Sequence, residues 1–372
     1  MNYSFDTMNG KFPSLFSEFK LGNLVLKNRM GLAPMTRTSA DADGTVTADM
    51  IKYYSRYARG GFSLLITEGT YIDEMHSQGY YHQPGIANSR HITHWRTLVK
   101  SVQKEGAKIF CQLMHAGALS QGNYYTQENI GPSAIRPVGQ QMAFYGGSGA
   151  YAVPGEITRR DIDNLIENFF QAAVNAKNAG FNGVELHGAN GYLLDQFLTD
   201  YTNHRTDEYG GSTRNRVRLL VQVIQACRAA VGADYPLGIR ISQGKVNNYS
   251  HQWADQEKDA AIIFSSLAEA GADFIHVTAF EADKPAFGQS GLPLAGLARK
   301  YAQLPVIANG SLNTPERAES LLISQHADMV TLGKSALANK DWVKKVEQGY
   351  PLHEFDPQTF LSPNACIKDF EL

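Results

Sequence analysis

Eight short apolar runs, each followed by a longer stretch with helical spacing, restrict this chain to very few architectures. The runs end near Met35, Thr70, Met114, His187, Ser242, Ala279, Asn309 and Lys334. Each is a few residues long and rich in Ile, Val, Leu or Phe, as in Phe62-Ser63-Leu64-Leu65-Ile66 and Leu237-Gly238-Ile239-Arg240-Ile241. Such continuous apolar strands belong to parallel sheets covered on both faces. The intervening stretches predict helices over Ala48–Arg59, Asp161–Ala179, Arg214–Ala230, Asp255–Ala270 and Pro315–Ser324. In the second of these, Leu165, Phe169, Ala172, Ala173 and Ala176 form one stripe. Thr314-Pro315-Glu316 reads as a helix start, with a capping threonine, a proline at the first helical position and an acid in the first turn. Eight strand–helix units are the count of an α/β (β/α)8 TIM barrel. A doubly wound sheet is the alternative, but no Gly-x-Gly-x-x-Gly follows the first strand.

The 372 residues suit one barrel with insertions. No Pro- or Ser-rich linker divides the chain, so a single domain over 1–372 is expected, with its core over about 28–348. Two regions fall outside the alternation. Phe12 to Lys27 is expected to form an N-terminal hairpin closing the barrel floor, with Leu21-Gly22-Asn23-Leu24 as its turn. The span from about 116 to 156, after strand three, is rich in Gly, Ser, Tyr and Gln and far longer than an ordinary loop, so it is expected to cap a site. Net charge is −2, from 34 basic and 36 acidic residues, without the basic runs that nucleic-acid or membrane-surface binding requires. The segment Met1 to Lys11 is polar and lacks the apolar centre of a secretory leader, and no segment is long enough to span a bilayer. Three cysteines (Cys111, Cys227 and Cys366) lie far apart, so no metal site is expected and a reducing cytoplasm fits.

Barrel enzymes carry their chemistry at the carboxyl ends of the strands. Polar residues at those ends are Thr36, Gln112, His187, Arg240, Asn309 and Lys334. His187 and Asn190 are three apart, so a helical turn starting at His187 would point both side chains to one side. Two neutral donors aimed at one spot suit an oxygen that gains negative charge. Tyr192 adds a phenolic proton nearby. Taken alone, the same residues also fit a satisfied core histidine and a half-buried aromatic. Arg240 alternates with Ile239 and Ile241 and should face the barrel axis, where a lone guanidinium is very costly. It needs a carboxylate such as Glu68 or Glu185, or else an anionic or electron-rich cofactor. Asn309-Gly310-Ser311 and Gly333-Lys334-Ser335 end the last two strands, where barrels often hold phosphate. Those glycines are equally able simply to turn the chain. With Gln112, these features favour a phosphorylated cofactor with a polar ring.

From about Phe16 to about Tyr350 the chain resembles the old yellow enzyme family of flavin-dependent ene-reductases. The most specific piece is His187-Gly188-Ala189-Asn190-Gly191-Tyr192-Leu193-Leu194, continued by Asn203-His204-Arg205-Thr206-Asp207-Glu208-Tyr209-Gly210-Gly211-Ser212. Leu26-Lys27-Asn28-Arg29, Ala33-Pro34-Met35-Thr36, Glu68-Gly69-Thr70, Gln112-Leu113-Met114-His115-Ala116-Gly117 and Gly131-Pro132-Ser133 support it. The resemblance implies a non-covalent FMN across the barrel mouth. Ala33, Pro34, Met35 and Thr36 would line the flavin, with His187 beside it, Gly69 would give clearance and Gln112 would bond the pyrimidine edge. Arg240 would sit at the N1–C2 end, where the reduced flavin carries negative charge, and the backbone around Asn309, Gly310, Gly333 and Lys334 would hold the phosphate. NADH or NADPH would supply hydride for the C=C bond of an α,β-unsaturated carbonyl or nitro compound. His187 and Asn190 would hold that compound's oxygen, and Tyr192 would protonate its α-carbon. One departure is Lys334, where most relatives carry arginine, which puts a point charge in place of a bidentate fork. The oligomeric state stays open, and with Cys366 alone in the tail no iron–sulphur cluster is expected there. Two other readings remain: a non-redox phosphate-binding barrel isomerase or lyase, and a flavin-binding sensor without turnover. An aldolase would need a buried lysine, and the sixth strand (Phe274 to Ala279) shows His276 and Thr278 instead.

Overall fold

Eight parallel strands close on themselves in the structure, a computed structural model that describes residues 10–372. They are β1 (Met30–Leu32), β2 (Leu64–Ile66), β3 (Lys108–Met114), β4 (Gly183–Asn190), β5 (Leu237–Lys245), β6 (Phe274–Thr278), β7 (Val306–Asn309) and β8 (Met329–Leu332). Each pairs with the next, and β8 pairs with β1 through Val330 opposite Met30 and Leu332 opposite Leu32. The doubly wound alternative is thereby overturned, because closure removes both sheet edges. Residues 1–9 of the polar N-terminal segment lie outside the described residues.

Helices follow the strands, five of them over stretches the spacing predicts, while Ser89–Lys104 and Leu294–Ala302 were not among the expected ones. They cover Ala48–Arg59, Ser89–Lys104, Arg159–Ala179, Arg218–Val231, Glu257–Glu269, Leu294–Ala302 and Pro315–Ile323. Their starts are chemically marked. Thr158 and Asp161 form a reciprocal capping box, and the Thr314 hydroxyl accepts the Arg317 N–H behind Pro315. The expected helix from Arg214 is interrupted at Val217, because Ser212 caps a separate short turn, Thr213–Arg216. Among the described residues no helix is long and apolar enough to cross a membrane.

The floor of the barrel is apolar. The hairpin strands Phe19–Leu21 and Leu24–Leu26 pair antiparallel around Gly22, which takes a φ of +59°. They are shorter than the expected Phe12–Lys27, because Ser14 and Leu15 turn to give their N–H groups to the Glu319 carboxylate. Leu21 and Leu26 join Leu64, Ile66, Phe110, Phe274, Ile307 and Met329 in one buried cluster. Each such side chain contributes about 1.5–3 kcal/mol of burial. Phe110 and Phe274 meet with ring centroids 5.7 Å apart. Gly183 and Gly238 make room for them: a Cβ at Gly183 would lie 2.6 Å from the Phe110 ring and one at Gly238 2.3 Å from the Phe274 ring.

Two segments cover the other end. Between β3 and Arg159 the chain forms short 3-10 turns at Gly117–Leu119 and Ala143–Tyr145 and pairs Ile130–Gly131 with Gly155–Glu156. Its Leu119 and Tyr151 pack with Tyr80, Met114, Ala116 and Tyr192. The carboxyl-terminal tail, whose structural part the sequence did not signal, returns to the loop after β1. Arg37 donates to the carbonyls of Ala365 and Cys366 and to both carboxylate oxygens of Glu371, while Arg56 lies 3.6 Å from the same carboxylate. The Ala365 N–H bonds the Phe144 carbonyl at 2.8 Å, which ties the tail to the insertion.

Gly238→Ala should destabilise the protein by about 1–3 kcal/mol, as overpacking of a dense core does. Thermal unfolding of the variant checks this; an unchanged midpoint would contradict the assigned packing of the floor.

Candidate active site

Above the apolar floor the barrel interior turns polar, and its side chains are linked across strands. The Gln112 amide donates to Glu185 Oε1 at 2.7 Å, and Glu185 Oε2 meets His276 Nδ1 at 2.7 Å. His276 Nε2 in turn lies 2.8 Å from the Thr331 hydroxyl. Burial holds the His276 imidazole below its usual range, although the Glu185 charge opposes this. A neutral ring donating from Nδ1 and accepting at Nε2 satisfies both neighbours.

Arg240 stands in register between His187 on β4 and His276 on β6. Its Nη2 donates to Asn309 Oδ1 at 2.9 Å, an atom that also accepts from the Thr278 hydroxyl. Its Nε and Nη1 are buried and have no hydrogen-bond partner among the described residues. Neither expected carboxylate forms an ion pair with it. Glu185 is taken by Gln112 and His276, while Glu68 accepts from the Arg37 N–H and the Tyr54 hydroxyl. Burial pushes the Arg240 guanidinium down to about 10, with the Glu185 charge opposing, so it stays charged at neutral pH. Orphaned donors on a buried cation are expensive unless a ligand accepts from them. The donors left open suit an electron-rich or anionic ring edge, and the residues here fit that ligand.

The expected helical turn at His187 does not form: β4 runs on through Asn190, and the next helix is Leu193–Leu198. In an undisturbed strand, residues three apart face opposite sides. Asn190 breaks the alternation by adopting a left-handed φ of +63°, followed by Gly191 at +89°. His187 is buried, and its Nδ1 also has no partner among the described residues. Burial, with help from the Arg240 charge, holds it well below the usual histidine range, so it is a neutral imidazole. The His187 and Tyr192 rings meet edge to face at 4.8 Å. The Tyr192 hydroxyl lies 2.6 Å from that of Tyr80, and burial raises its pKa, which keeps the phenol protonated. Tyr145 packs on Tyr80 with centroids 4.5 Å apart and donates to the Thr36 carbonyl at 3.2 Å. Tyr80 and Tyr145 carry no periodic signal in the sequence, since both lie on irregular connections.

The remaining candidates lie around this centre with mixed outcomes. The Ala33 N–H extends the β1–β8 ladder to the Leu332 carbonyl, and Pro34, Met35 and Thr36 are half-buried beyond it. A Cβ at Gly333 would lie 3.5 Å from the Met35 sulfur and 4.0 Å from the Ala33 Cβ, so these residues share one corner. Gly310 takes a φ of +141°, and its missing Cβ would lie 2.1 Å from the Ala279 carbonyl oxygen. Asn309 turns its carboxamide inward to Arg240, Thr278 and the Thr331 carbonyl, which leaves only its backbone for a phosphate. Lys334 is exposed and opens a five-residue helix, with Nζ 6.0 Å over the Phe355 ring. At Gly69 the place a Cβ would take lies 2.2 Å from the Met114 sulfur, so the absent side chain makes room for Met114. A buried lysine does exist, Lys245 at the end of β5, but its ammonium is engaged by Asp195 at 2.6 Å. It therefore offers no free amine for the Schiff base of a lyase.

The chain is similar in sequence and in fold to known proteins. Residues 14–353 match the model of the NADH:flavin oxidoreductase / NADH oxidase family. A protein named NADH oxidase from Thermoanaerobacter brockii is 36% identical over 91% of this chain, which spans only about half, 51%, of that relative. A probable flavin mononucleotide-dependent alkene reductase from Leishmania infantum is 36% identical over 92% of each chain. The solved old yellow enzyme homologue from Zymomonas mobilis superposes with a TM-score of 0.83 at 31% identity, covering 92% of this chain and 94% of its own.

Taking a charge out of water costs several kcal/mol, which partners must offset, and Arg240 has two nitrogens without them among the described residues. Arg240→Met should accordingly leave the stability of the ligand-free protein unchanged or raise it. Urea unfolding of protein stripped of small molecules tests this, and a large loss would mean that the guanidinium is satisfied without a ligand.

Proposed function

The chain belongs to the NADH:flavin oxidoreductase / NADH oxidase family, the old yellow enzymes, and on that premise we propose that it reduces activated alkenes with FMN and NADH or NADPH. One observation carries the reading. At the carboxyl end of a barrel, a buried guanidinium and a neutral imidazole both keep nitrogens without partners among the described residues. Arg240 would hold the electron-rich edge of the flavin ring, Gln112 would lie beside it, and Ala33 to Thr36 would line it. The backbone around Asn309-Gly310 and Gly333-Lys334 would hold the phosphate. FMN, when bound, supplies the hydride chemistry that links NAD(P)H to the β-carbon of an α,β-unsaturated carbonyl or nitro compound.

The protein's share is position and charge. His187 and Asn190 would donate to the substrate oxygen, and because His187 is neutral it withdraws electron density without adding a second cation beside Arg240. Negative charge develops on that oxygen as the alkene accepts hydride, so the donors act most strongly when they are most needed. Tyr192 would give its proton to the α-carbon, and its raised pKa keeps that proton in place until the carbon becomes basic. Tyr80 and Tyr145, packed over this corner, would exclude water. The barrel and its insertion would act as one domain. Three free cysteines, two of them buried, fit the cytoplasm.

Purified protein should be yellow, or turn yellow on adding FMN, and NAD(P)H under nitrogen should bleach it. A colourless preparation that refuses FMN sinks the proposal. Tyr192→Phe should slow alkene reduction by about 10²–10⁴, the usual share of a general acid, while flavin bleaching by NAD(P)H stays near the parent rate. Equal damage to both half-reactions, read by stopped-flow absorbance, would remove Tyr192 from proton donation. His187→Ala should weaken binding of a phenol or enone; unchanged affinity would remove His187 from the oxygen-holding role.

A further inference from the structure

The turn that carries Asn190 and Tyr192 departs from both strand and helix, and something must hold it in that conformation. Asn190 and Gly191 are consecutive left-handed residues, at φ +63° and +89°. An asparagine in that region is strained unless its surroundings over-determine it. Here every backbone polar group of the two residues has a partner. The Asn190 N–H bonds the Ser242 hydroxyl at 2.8 Å, and its carbonyl accepts from Val246 N at 3.1 Å. The Gly191 carbonyl accepts from the Gln196 amide at 2.7 Å. The Gly191 N–H goes to Asp195 Oδ2 at 2.6 Å. Of these partners only Asp195 is charged, and it is fully buried.

A buried carboxylate cannot hold an N–H in a fixed place unless its own charge is balanced. The counter-ion comes from the neighbouring strand. Lys245 Nζ lies 2.6 Å from Asp195 Oδ1, with both side chains at 1% exposure or less, and Lys245 is the β5 residue in register with Asn190. Thr199 adds a weaker donor to the same oxygen at 3.5 Å. The pair therefore bridges β5 to the helix just beyond the turn, and its second oxygen reaches back to the turn itself. The missing Cβ of Gly191 would sit 3.3 Å from the Lys245 Cβ and 3.0 Å from Asn247 Oδ1, so the lysine stem also crowds the turn from one side.

We infer that Asp195, aimed by Lys245, is a positioning residue that locks the Asn190–Tyr192 turn and so sets where the carboxamide and the phenol are presented. This rests on the reading that Asn190 holds the substrate oxygen. Neither member of the pair touches the reacting atoms; they act through the backbone of Gly191. An uncharged residue in place of Lys245 leaves a buried carboxylate without its counter-ion, and the carboxylate then leaves Gly191 in search of water or a proton.

The test uses the flavin-loaded protein, with a para-substituted phenol titrated against the flavin absorption as an oxygen-bearing probe. Lys245→Met is expected to weaken phenol binding about tenfold or more with flavin content unchanged, because a displacement of about 1 Å can cost up to about a hundredfold. Lys245→Arg, which keeps a cation for Asp195, is expected to stay within about threefold of the parent. Parent affinity in Lys245→Met overturns the inference, and so does a loss in Lys245→Arg equal to that in Lys245→Met. If Lys245→Met yields no yellow protein, Lys245→Gln carries the same expectation and the same overturning result. Asn190→Ala separates the two layers of the argument. A loss in Asn190→Ala with none in Lys245→Met overturns the positioning role alone. No loss in either overturns the oxygen-holding reading on which that role rests.

Discussion

The buried guanidinium of Arg240 is the interaction on which the site depends. Arg240 comes from a strand whose neighbours, Ile239 and Ile241, face the outer core, so the pleat forces its guanidinium inward. Below it lies an apolar plug that includes the hairpin leucines and two phenylalanines. Beside it the buried Glu185 carboxylate is held by Gln112 and His276 at hydrogen-bond distance and touches the arginine only through its field. The result is a charge that is offset but not satisfied, with donors left over for a ligand. A core built for stability alone would have put an apolar side chain at that position.

The same logic explains the cover. The loop after β1 carries Thr36 and Arg37, and both are tied down by segments remote in sequence. Tyr145 of the insertion bonds the Thr36 carbonyl, and Glu371 of the tail forms a buried ion pair with Arg37. Loops ordinarily sample many conformations. This one is clamped from two sides, which suits a surface on which a flat ring must lie in one orientation. A backbone departure also lies at Asn190 and Gly191, where surrounding hydrogen bonds hold an otherwise costly geometry.

Barrel architecture was legible because parallel strands and amphipathic helices have distinct periods, and this chain repeats the pair eight times. The helix Ala48–Arg59 appears with the very bounds its stripe predicts, and Thr314-Pro315 starts a helix where the cap chemistry requires one. Inward placement of Arg240 followed from alternation alone. Other expectations failed for identifiable reasons. The spacing of His187 and Asn190 suggested a helical turn, but a strand with a left-handed exit achieves the departure from alternation by another route. Glu68 was a candidate partner for Arg240 but is taken by Arg37 N–H and Tyr54.

Order along the chain, by itself, determined the count of strands, the faces of the helices, the inward arginine and the set of polar residues at the strand ends. These depend on local period and on the cost of burying charge, both of which act within a few residues. Tertiary structure alone decided which groups were satisfied and which were left open. It assigned Glu185 to His276, gave Glu371 to Arg37, paired Lys245 with Asp195 and left three nitrogens of Arg240 and His187 without partners among the described residues. Hydrogen bonds and ion pairs are short-ranged and exclusive, so a partner taken across the barrel is lost to every other residue, and no reading along one dimension contains that competition.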